Sequence, residues 1–264
     1  MKVATNGIVL HVEEQGDGEL ALVFLHYWGG SSRTWKHVTT GLAPAFHTVA
    51  IDNRGWGQSD APNDGYALTD LAADAEGVIE ALKLRRYVLV GHLMGGKVAQ
   101  LMASRRPAGL VGLVLVAPSP PQPMAMPDEA REMMAGAYTT RATVEATIDN
   151  VLTARPLSAE DREQVIADSL RGAPPAKIAW PKATSLEDIT GQVGIINVPV
   201  IVIVGESDRV DSPALLQVEL LTRVPQAAMR VLPSTGHLLM LEAAEQLIPL
   251  IEEFCRSLPI LPKD

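Results

Sequence analysis

Short apolar runs alternate with segments of helical periodicity along most of the chain. Residues 20–25 form a continuous apolar run, the pattern of a strand that is buried on both faces of a parallel sheet. Between such runs apolar residues recur at helical spacing, as at Leu71, Val78 and Leu82, which predicts helices that pack on the sheet. The alternation therefore predicts an α/β fold with a mostly parallel sheet flanked by helices. The predicted strands are 20–25, 47–52, 87–90, 110–116, 198–204 and 228–232, and the predicted helices are 31–42, 68–82, 97–106, 242–257 and one that begins at Ser212.

The alternation is interrupted once, in the middle of the chain. The proline-rich segment 118–123 leaves the predicted sheet, and only helical patterns and loops follow it as far as Asp188. Ser158, followed by Asp161, is typical of a helix N-cap. We therefore predict a helical cap that covers the carboxyl edge of the sheet. The predicted cap is residues 118–189, with helices at 128–137, 143–153 and 158–170, and the predicted core is residues 1–117 and 190–264, with a β-hairpin around Asn6-Gly7.

Composition and charge exclude several classes of protein. The net charge is −9 and there is no basic run, which argues against nucleic acid and against an anionic membrane surface as partners. No apolar stretch approaches the length of a bilayer span, and the N-terminus lacks the apolar segment of a secretory signal. The single cysteine, Cys255, cannot form an internal disulfide, which favours a reducing, cytoplasmic location. We expect a small-molecule partner and leave the oligomeric state open.

One turn has the sequence context of a nucleophile elbow. The apolar strand 87–90 is followed by Gly-His-Leu-Met-Gly-Gly at positions 91–96 and then by a helical pattern. In such an elbow a sharp turn lifts one side chain above the sheet, and small residues two positions to either side let strand and helix approach closely. Gly91 and Gly95 hold those two positions around Leu93. A leucine side chain has no lone pair and no proton to lose, so this turn presents a hydrocarbon where a nucleophile is expected.

The chain order of the remaining polar residues points to a known family. Ligands bind at the carboxyl ends of strands in open parallel sheets, and the loop 26–30, the elbow, Asp208 and His237 leave the predicted strands at those ends. The order elbow, acid, histidine is that of the α/β-hydrolase triad. The elbow is similar to the G-H-S-M-G-G of small esterases, and residues 52–59 resemble the D-x-R-G-x-G-x-S turn of the family. From about residue 6 to residue 257 the chain therefore resembles a small serine esterase of the α/β-hydrolase fold superfamily, with a helical cap.

The resemblance implies a role for each of these residues. Leu93 stands at the position of the nucleophile, where serine is expected. His237 is implied as the general base, and Asp208 as the acid that orients its imidazole. The backbone N–H groups of Trp28 and Met94 are implied as the oxyanion hole, which needs fixed donors where negative charge develops.

Several residues keep two interpretations. Asp211 competes with Asp208 as the acid. His26 and His92 are predicted to be buried, hydrogen-bonded scaffold residues, because no metal-ligand spacing is present. The elbow glycines lack the spacing of a dinucleotide site, so neither a metal nor a cofactor is predicted. Apolar side chains suit either a core or a substrate pocket, and the pocket candidates are Tyr27, where the family usually has glycine, with Met124, Met126 and Trp180 of the cap.

Three functions are compatible with Leu93. The first is a serine esterase for small or medium apolar carboxylic esters that the leucine has inactivated. The second is a hydrolase or lyase that needs no nucleophile and uses the His237–Asp208 base on water or on a bound substrate. The third is a non-catalytic ligand-binding protein on the same fold. The retained acid, histidine and glycines argue against the third, which needs none of them. Carboxylesterase, lactonase, perhydrolase and C–C hydrolase substrates remain open.

Overall fold

Eight strands form one sheet in the computed structural model, which describes residues 1–259. The strands are β1 (Lys2–Thr5), β2 (Ile8–Gln15), β3 (Ala21–Leu25), β4 (His47–Ile51), β5 (Tyr87–Leu93), β6 (Leu110–Pro118), β7 (Val200–Gly205) and β8 (Ala227–Leu232). Their order across the sheet is β1-β2-β4-β3-β5-β6-β7-β8. The pairs β1–β2 and β2–β4 are antiparallel and the other pairs are parallel, which confirms the predicted mostly parallel sheet. Residues 260–264 of the predicted core lie outside the described residues.

Helices flank the sheet. The α1 helix (Lys36–Leu42) contacts the α11 helix (Ala244–Ser257). The α2 helix (Leu68–Ala81) contacts the α3 helix (Met94–Ser104), which packs on β5 and β6. Central strands are buried on both faces, as the apolar runs predict: every residue of β3, β5, β6 and β7 is buried. The helices are α1 (Lys36–Leu42), α2 (Leu68–Ala81), α3 (Met94–Ser104), α4 (Asp128–Gly136), α5 (Arg141–Thr147), α6 (Ala159–Arg171), α7 (Pro174–Lys182), α8 (Thr190–Val193), α9 (Pro213–Leu216), α10 (Leu239–Glu242) and α11 (Ala244–Ser257).

The segment between β6 and β7 contains helices and, among the described residues, no strand. Ser158 caps α6, because its hydroxyl accepts the backbone N–H of Asp161 at 3.0 Å. The sequence pattern does not predict α7. Pro174 fits the first turn of a helix, where an N–H has no partner, but Pro181 falls inside the same helix and hides its periodicity.

The turn after β4 is fixed by two charged side chains. The carboxylate of Asp52 accepts the backbone N–H of Ser32 at 2.6 Å and that of Gln58 at 2.8 Å. Gly57 has a φ of 55°, and a Cβ there would lie 2.1 Å from the Asp52 carboxylate, so only glycine fits. Gly57 is therefore a turn glycine, and the turn brings the Arg54 guanidinium against α2.

We expect the buried pair of Arg54 and Asp74 to stabilise this turn strongly. Two hydrogen bonds of 2.6 and 2.7 Å join the two side chains, both almost fully buried. Asp74→Ala would leave a buried guanidinium unpaired and should lower the free energy of unfolding by about 3–5 kcal/mol. Urea denaturation checks this. Glu76→Ala is the matched control, because Glu76 lies on the same helix and pairs with Arg105 at the surface, and its loss should cost about 0–1 kcal/mol. Equal costs for the two variants would contradict the prediction.

Candidate active site

Leu93 lies at a strained turn between β5 and α3. Its φ of 46° and ψ of −109° belong to a region that side chains other than glycine rarely adopt, at a cost of about 1–3 kcal/mol. A Cβ on Gly91 would lie 2.4 Å from the carbonyl oxygen of Gly95, and a Cβ on Gly95 would lie 2.3 Å from that of Leu25. Both glycines are therefore required for the close approach of strand and helix. The turn holds the Leu93 side chain at the wall of a cavity.

Asp208 and His237 form a fully buried pair at the ends of β7 and β8. Nδ1 of His237 lies 2.9 Å from Oδ2 of Asp208, and both side chains are wholly inaccessible. The other Asp208 oxygen accepts the backbone N–H groups of Val210 at 2.8 Å and Asp211 at 3.1 Å. The structure thus brings Asp208 to the histidine, and the Asp211 side chain makes no hydrogen bond to His237 among the described residues.

The geometry fixes the tautomer of His237. Because the Asp208 carboxylate only accepts hydrogen bonds, Nδ1 carries the proton and Nε2 of the neutral ring is left with a lone pair. In the described part of the chain Nε2 has no hydrogen-bond partner, and His237 lines the same cavity as Leu93. Burial lowers the pKa of His237, but the charge and the hydrogen bond of Asp208 outweigh it, so the pKa lies above the ordinary 6.5.

The loop after β8, which contains His237, is held by the helical segment that lies between β6 and β7. The backbone N–H of His237 donates to the carbonyl of Leu152 at 3.0 Å. The Glu242 carboxylate accepts the backbone N–H of Ala154 at 2.9 Å and that of Gly236 at 3.2 Å. The position of the imidazole therefore depends on contacts between the helical segment and the sheet.

The loop after β3 is also held by contacts with this helical segment. The Trp28 indole N–H donates to the carbonyl of Lys177 at 3.1 Å, and the Tyr138 hydroxyl donates to the carbonyl of Trp28 at 3.2 Å. Gly29 has a φ of 102°, and a Cβ there would lie 2.3 Å from the Tyr138 ring. The helical segment therefore contacts both the side chain and the backbone carbonyl of Trp28.

Two backbone N–H groups, one next to Leu93 and one in this loop, make no hydrogen bond to any of residues 1–259. Met94 is the first residue of α3, where an N–H has no acceptor within the helix. Across residues 1–259 the Trp28 N–H likewise makes no backbone hydrogen bond. Such donors can stabilise negative charge that develops on a bound oxygen.

The two remaining histidines near the elbow are buried. Nε2 of His26 accepts the backbone N–H of Asn53 at 3.0 Å and Nδ1 lies 2.7 Å from the carbonyl oxygen of Tyr27, so Nδ1 carries the proton. His26 is thus a hydrogen-bonded scaffold residue, as predicted. His92 is not hydrogen-bonded in the described part of the chain; its ring packs against His237, with centroids 4.6 Å apart. Burial lowers the pKa of both His26 and His92, which keeps both rings neutral.

A cavity of about 620 Å³ opens above the elbow. Its wall is mostly apolar, with polar side chains concentrated after β7 and at the exit of β6. Among residues 1–259 no group of three or more His, Cys, Asp or Glu side chains is arranged to hold a metal ion, and no helix is long and apolar enough to cross a bilayer. The lining residues are Trp28, Leu93, Pro120, Gln122, Pro123, Met124, Ala125, Met126, Ala130, Met133, Met134, Ala137, Tyr138, Thr147, Val151, Leu152, Arg209, Val210, Asp211, Leu215, Glu219 and His237.

Two of the four predicted pocket residues do not line this cavity. Met124 and Met126 line it, but Tyr27 and Trp180 do not. The Tyr27 ring is buried and packs against His92, with centroids 5.1 Å apart. Trp180 is 1% exposed and lies on the buried face of α7 with Ala176, so it belongs to the core of the helical segment.

A family model for the alpha/beta hydrolase family matches residues 22–250 of this chain. The chain belongs to the α/β-hydrolase family. Relatives share most of its length: it is 30% identical over 256 residues to a pimeloyl-[acyl-carrier protein] methyl ester esterase of Nitrosomonas europaea, covering 90% of this chain and 96% of that protein. It is 26% identical over 260 residues to the AB hydrolase superfamily protein YisY of Bacillus subtilis, covering 95% of this chain and 96% of that protein.

A solved structure shares the fold of this chain. An esterase from Exiguobacterium antarcticum superposes with a TM-score of 0.89 at 21% identity, covering 97% of this chain and 99% of that one.

In the present α/β-hydrolase the sequence pattern does not single out Tyr138, because this residue follows α4 and is far in sequence from the loop that it holds. Arg209 and Val210 could have been found, since they follow Asp208 directly at the end of a strand.

Proposed function

We propose that this α/β-hydrolase is a serine-esterase-type protein for small or medium apolar carboxylic esters, greatly weakened in catalysis because Leu93 stands at the position of the nucleophile. One observation supports this most directly. The unpartnered Nε2 of the buried His237 and the strained Leu93 turn face one apolar cavity. Strained backbone of this kind clusters at active sites and ligand-binding positions, which favours a catalytic turn here.

The proposed chemistry follows from these positions. A serine at residue 93 would attack the ester carbonyl, and Nε2 of His237 would take its proton while Asp208 stabilised the imidazolium. The N–H groups of Trp28 and Met94 would stabilise the oxyanion. Of these groups, the present protein lacks only the attacking hydroxyl, because residue 93 is leucine. We also assign residues 118–189 as a cap, since they supply much of the cavity wall and hold both loops.

The similarity to the Nitrosomonas europaea methyl ester esterase supports the ester class. The cavity volume of about 620 Å³ and its apolar wall suit an uncharged acyl group of small or medium length. The single, buried Cys255 supports a cytoplasmic site of action.

A second candidate function is nucleophile-free hydrolysis or lyase chemistry. The intact pair of His237 and Asp208 favours it, because an imidazole with a free Nε2 can accept a proton from water as well as from serine. Leu93 would then be one wall of a site in which water attacks directly.

We expect ester binding to survive without catalysis. Methyl octanoate should bind the unmodified protein with a Kd of about 0.1–1 mM, because the apolar wall and the amide donors are intact. Titration calorimetry measures this. Ala130→Trp should weaken binding at least about tenfold by filling the cavity, whereas Ala159→Trp at an exposed position of α6 should not. Absence of binding to methyl octanoate would contradict the proposed ester site.

A further inference from the structure

The cavity wall contains buried polar atoms that satisfy no hydrogen bond. Among residues 1–259, Oδ2 of Asp211, Oε1 of Gln122 and Nε2 of His237 are buried, lack partners and belong to cavity-lining side chains. A buried polar group without a partner costs about 1–3 kcal/mol, so a ligand that pairs with such an atom gains binding free energy. The role proposed above uses only His237, which leaves Asp211 and Gln122 unexplained.

Asp211 is held rigidly at this wall. It is 2% exposed, and its backbone N–H donates to the Asp208 carboxylate at 3.1 Å. The next residue, Ser212, is the N-cap of α9, with its hydroxyl accepting the N–H of Leu215 at 3.3 Å. These bonds hold the backbone on both sides of Asp211, and its buried carboxyl group lies at the cavity wall.

Burial favours the neutral form of Asp211. Burial raises the pKa of Asp211 to about 8; the cations of His237 and Lys97 oppose this and the Asp208 carboxylate adds to it. His237 comes from the loop after β8, Lys97 from α3 and Asp208 from the loop after β7. Arg209 and Glu219 also line the cavity. At neutral pH the Asp211 side chain is therefore mostly a carboxylic acid with an O–H to donate.

No other group of residues 1–259 accepts a hydrogen bond from this O–H. The Asp208 carboxylate already occupies Nδ1 of His237, so a second acid is not needed to orient the ring. The Lys97 ammonium donates to the carbonyl of Gln122 at 2.9 Å and makes no ion pair with Asp211 among residues 1–259. The donor is thus available to a molecule that enters the cavity.

We propose that Asp211 is a specificity-determining residue whose carboxyl group donates a hydrogen bond to a neutral oxygen on the acyl chain of the ligand. This inference rests on the proposed function. It predicts that the protein favours esters that contain a further carbonyl oxygen, such as oxo-acyl esters, over plain alkanoyl esters. An unsubstituted alkanoyl chain leaves the buried Asp211 O–H without a hydrogen bond, whereas a carbonyl oxygen at the right distance along the chain accepts that bond.

The test compares matched esters on the unmodified protein. Titration calorimetry with methyl octanoate and with its 3-oxo, 4-oxo, 5-oxo and 6-oxo analogues samples the distance between the ester and the acceptor. For each protein at about pH 6, the affinity for each oxo ester is divided by the affinity for methyl octanoate. For one oxo ester this ratio should be about five- to tenfold larger in the unmodified protein than in Asp211→Leu. Asp211→Asn should retain the preference, because its amide N–H₂ replaces the donor. Circular dichroism on both variants verifies the fold.

The pH dependence distinguishes a carboxylic acid from mere polarity. At about pH 9.5, above the Asp211 pKa of about 8, the ionised group has no proton to donate, so the unmodified protein should lose the preference while Asp211→Asn keeps it. Taking the ratio of the Kd values of the two esters at each pH cancels any effect of His237 titration that is common to both esters. Equal ratios in all three proteins, or a preference unchanged at high pH, would overturn the inference while leaving the ester site standing. Failure of methyl octanoate to bind would instead refute the proposed function, and this inference with it.

Discussion

Leu93→Ser is expected to raise the turnover of activated esters by about three to six orders of magnitude. Removing the nucleophile of a serine hydrolase costs about six orders of magnitude in turnover, and the remaining groups retain about 10³–10⁴ over the uncatalysed rate. Here the His237–Asp208 pair, the amides of Trp28 and Met94 and the cavity are all in place. Restoring the hydroxyl should therefore recover most of the missing rate. Hydrolysis of p-nitrophenyl acetate and p-nitrophenyl butyrate by the purified proteins measures the gain.

The elbow already has the backbone that a serine would need. The φ of 46° at Leu93 is set by packing around Gly91 and Gly95, which the substitution leaves untouched. Leu93→Ala is the matched control, because it removes the same apolar bulk without adding an oxygen. A gain in Leu93→Ala equal to that in Leu93→Ser would mean that cavity space, and not the hydroxyl, limits the reaction. If Leu93→Ser folds normally yet stays at background on every ester, the inactivated-esterase proposal fails.

Much of the fold could be predicted because the central strands are hydrophobic on both faces. The run at residues 20–25 became β3 within one residue, and the strand before the elbow continues through Leu93. The glycines at 95–96 masked the start of α3, which begins at Met94, ahead of the predicted residue 97. Glycine is a weak helix former, so a helix that starts with close packing against a strand has little local signal.

The site could be predicted as far as chain order and strand ends determine it. Asp208 and His237 meet because each follows the carboxyl end of a strand, and β7 and β8 are neighbours in the sheet. The directions of Tyr27 and Trp180 could not be inferred. Apolar content does not distinguish a core side chain from a pocket side chain, and the answer depends on how the helices of residues 118–189 pack.

The activity gained by Leu93→Ser should depend on the buried pair. Adding His237→Ala should return turnover to that of the unmodified protein, because the serine then has no base within the site. Adding Asp208→Asn should lower turnover by about 10⁴, since an amide in place of the carboxylate stabilises the wrong tautomer of the ring. His47→Ala is the control for loss of a histidine as such, because His47 pairs with Glu14 on β2, at the opposite end of the strands from the elbow.

The pH profile of Leu93→Ser identifies the group that acts as base. A base must be neutral to accept a proton, so turnover should rise with pH through the titration of His237. Because the Asp208 carboxylate raises the pKa of His237, the midpoint should lie above 6.5. Steady-state turnover from about pH 5 to about pH 9 gives this midpoint. A profile that is flat across this range would exclude His237 as the base. Fast turnover by the unmodified protein, abolished by His237→Ala alone, would replace the serine mechanism with direct activation of water.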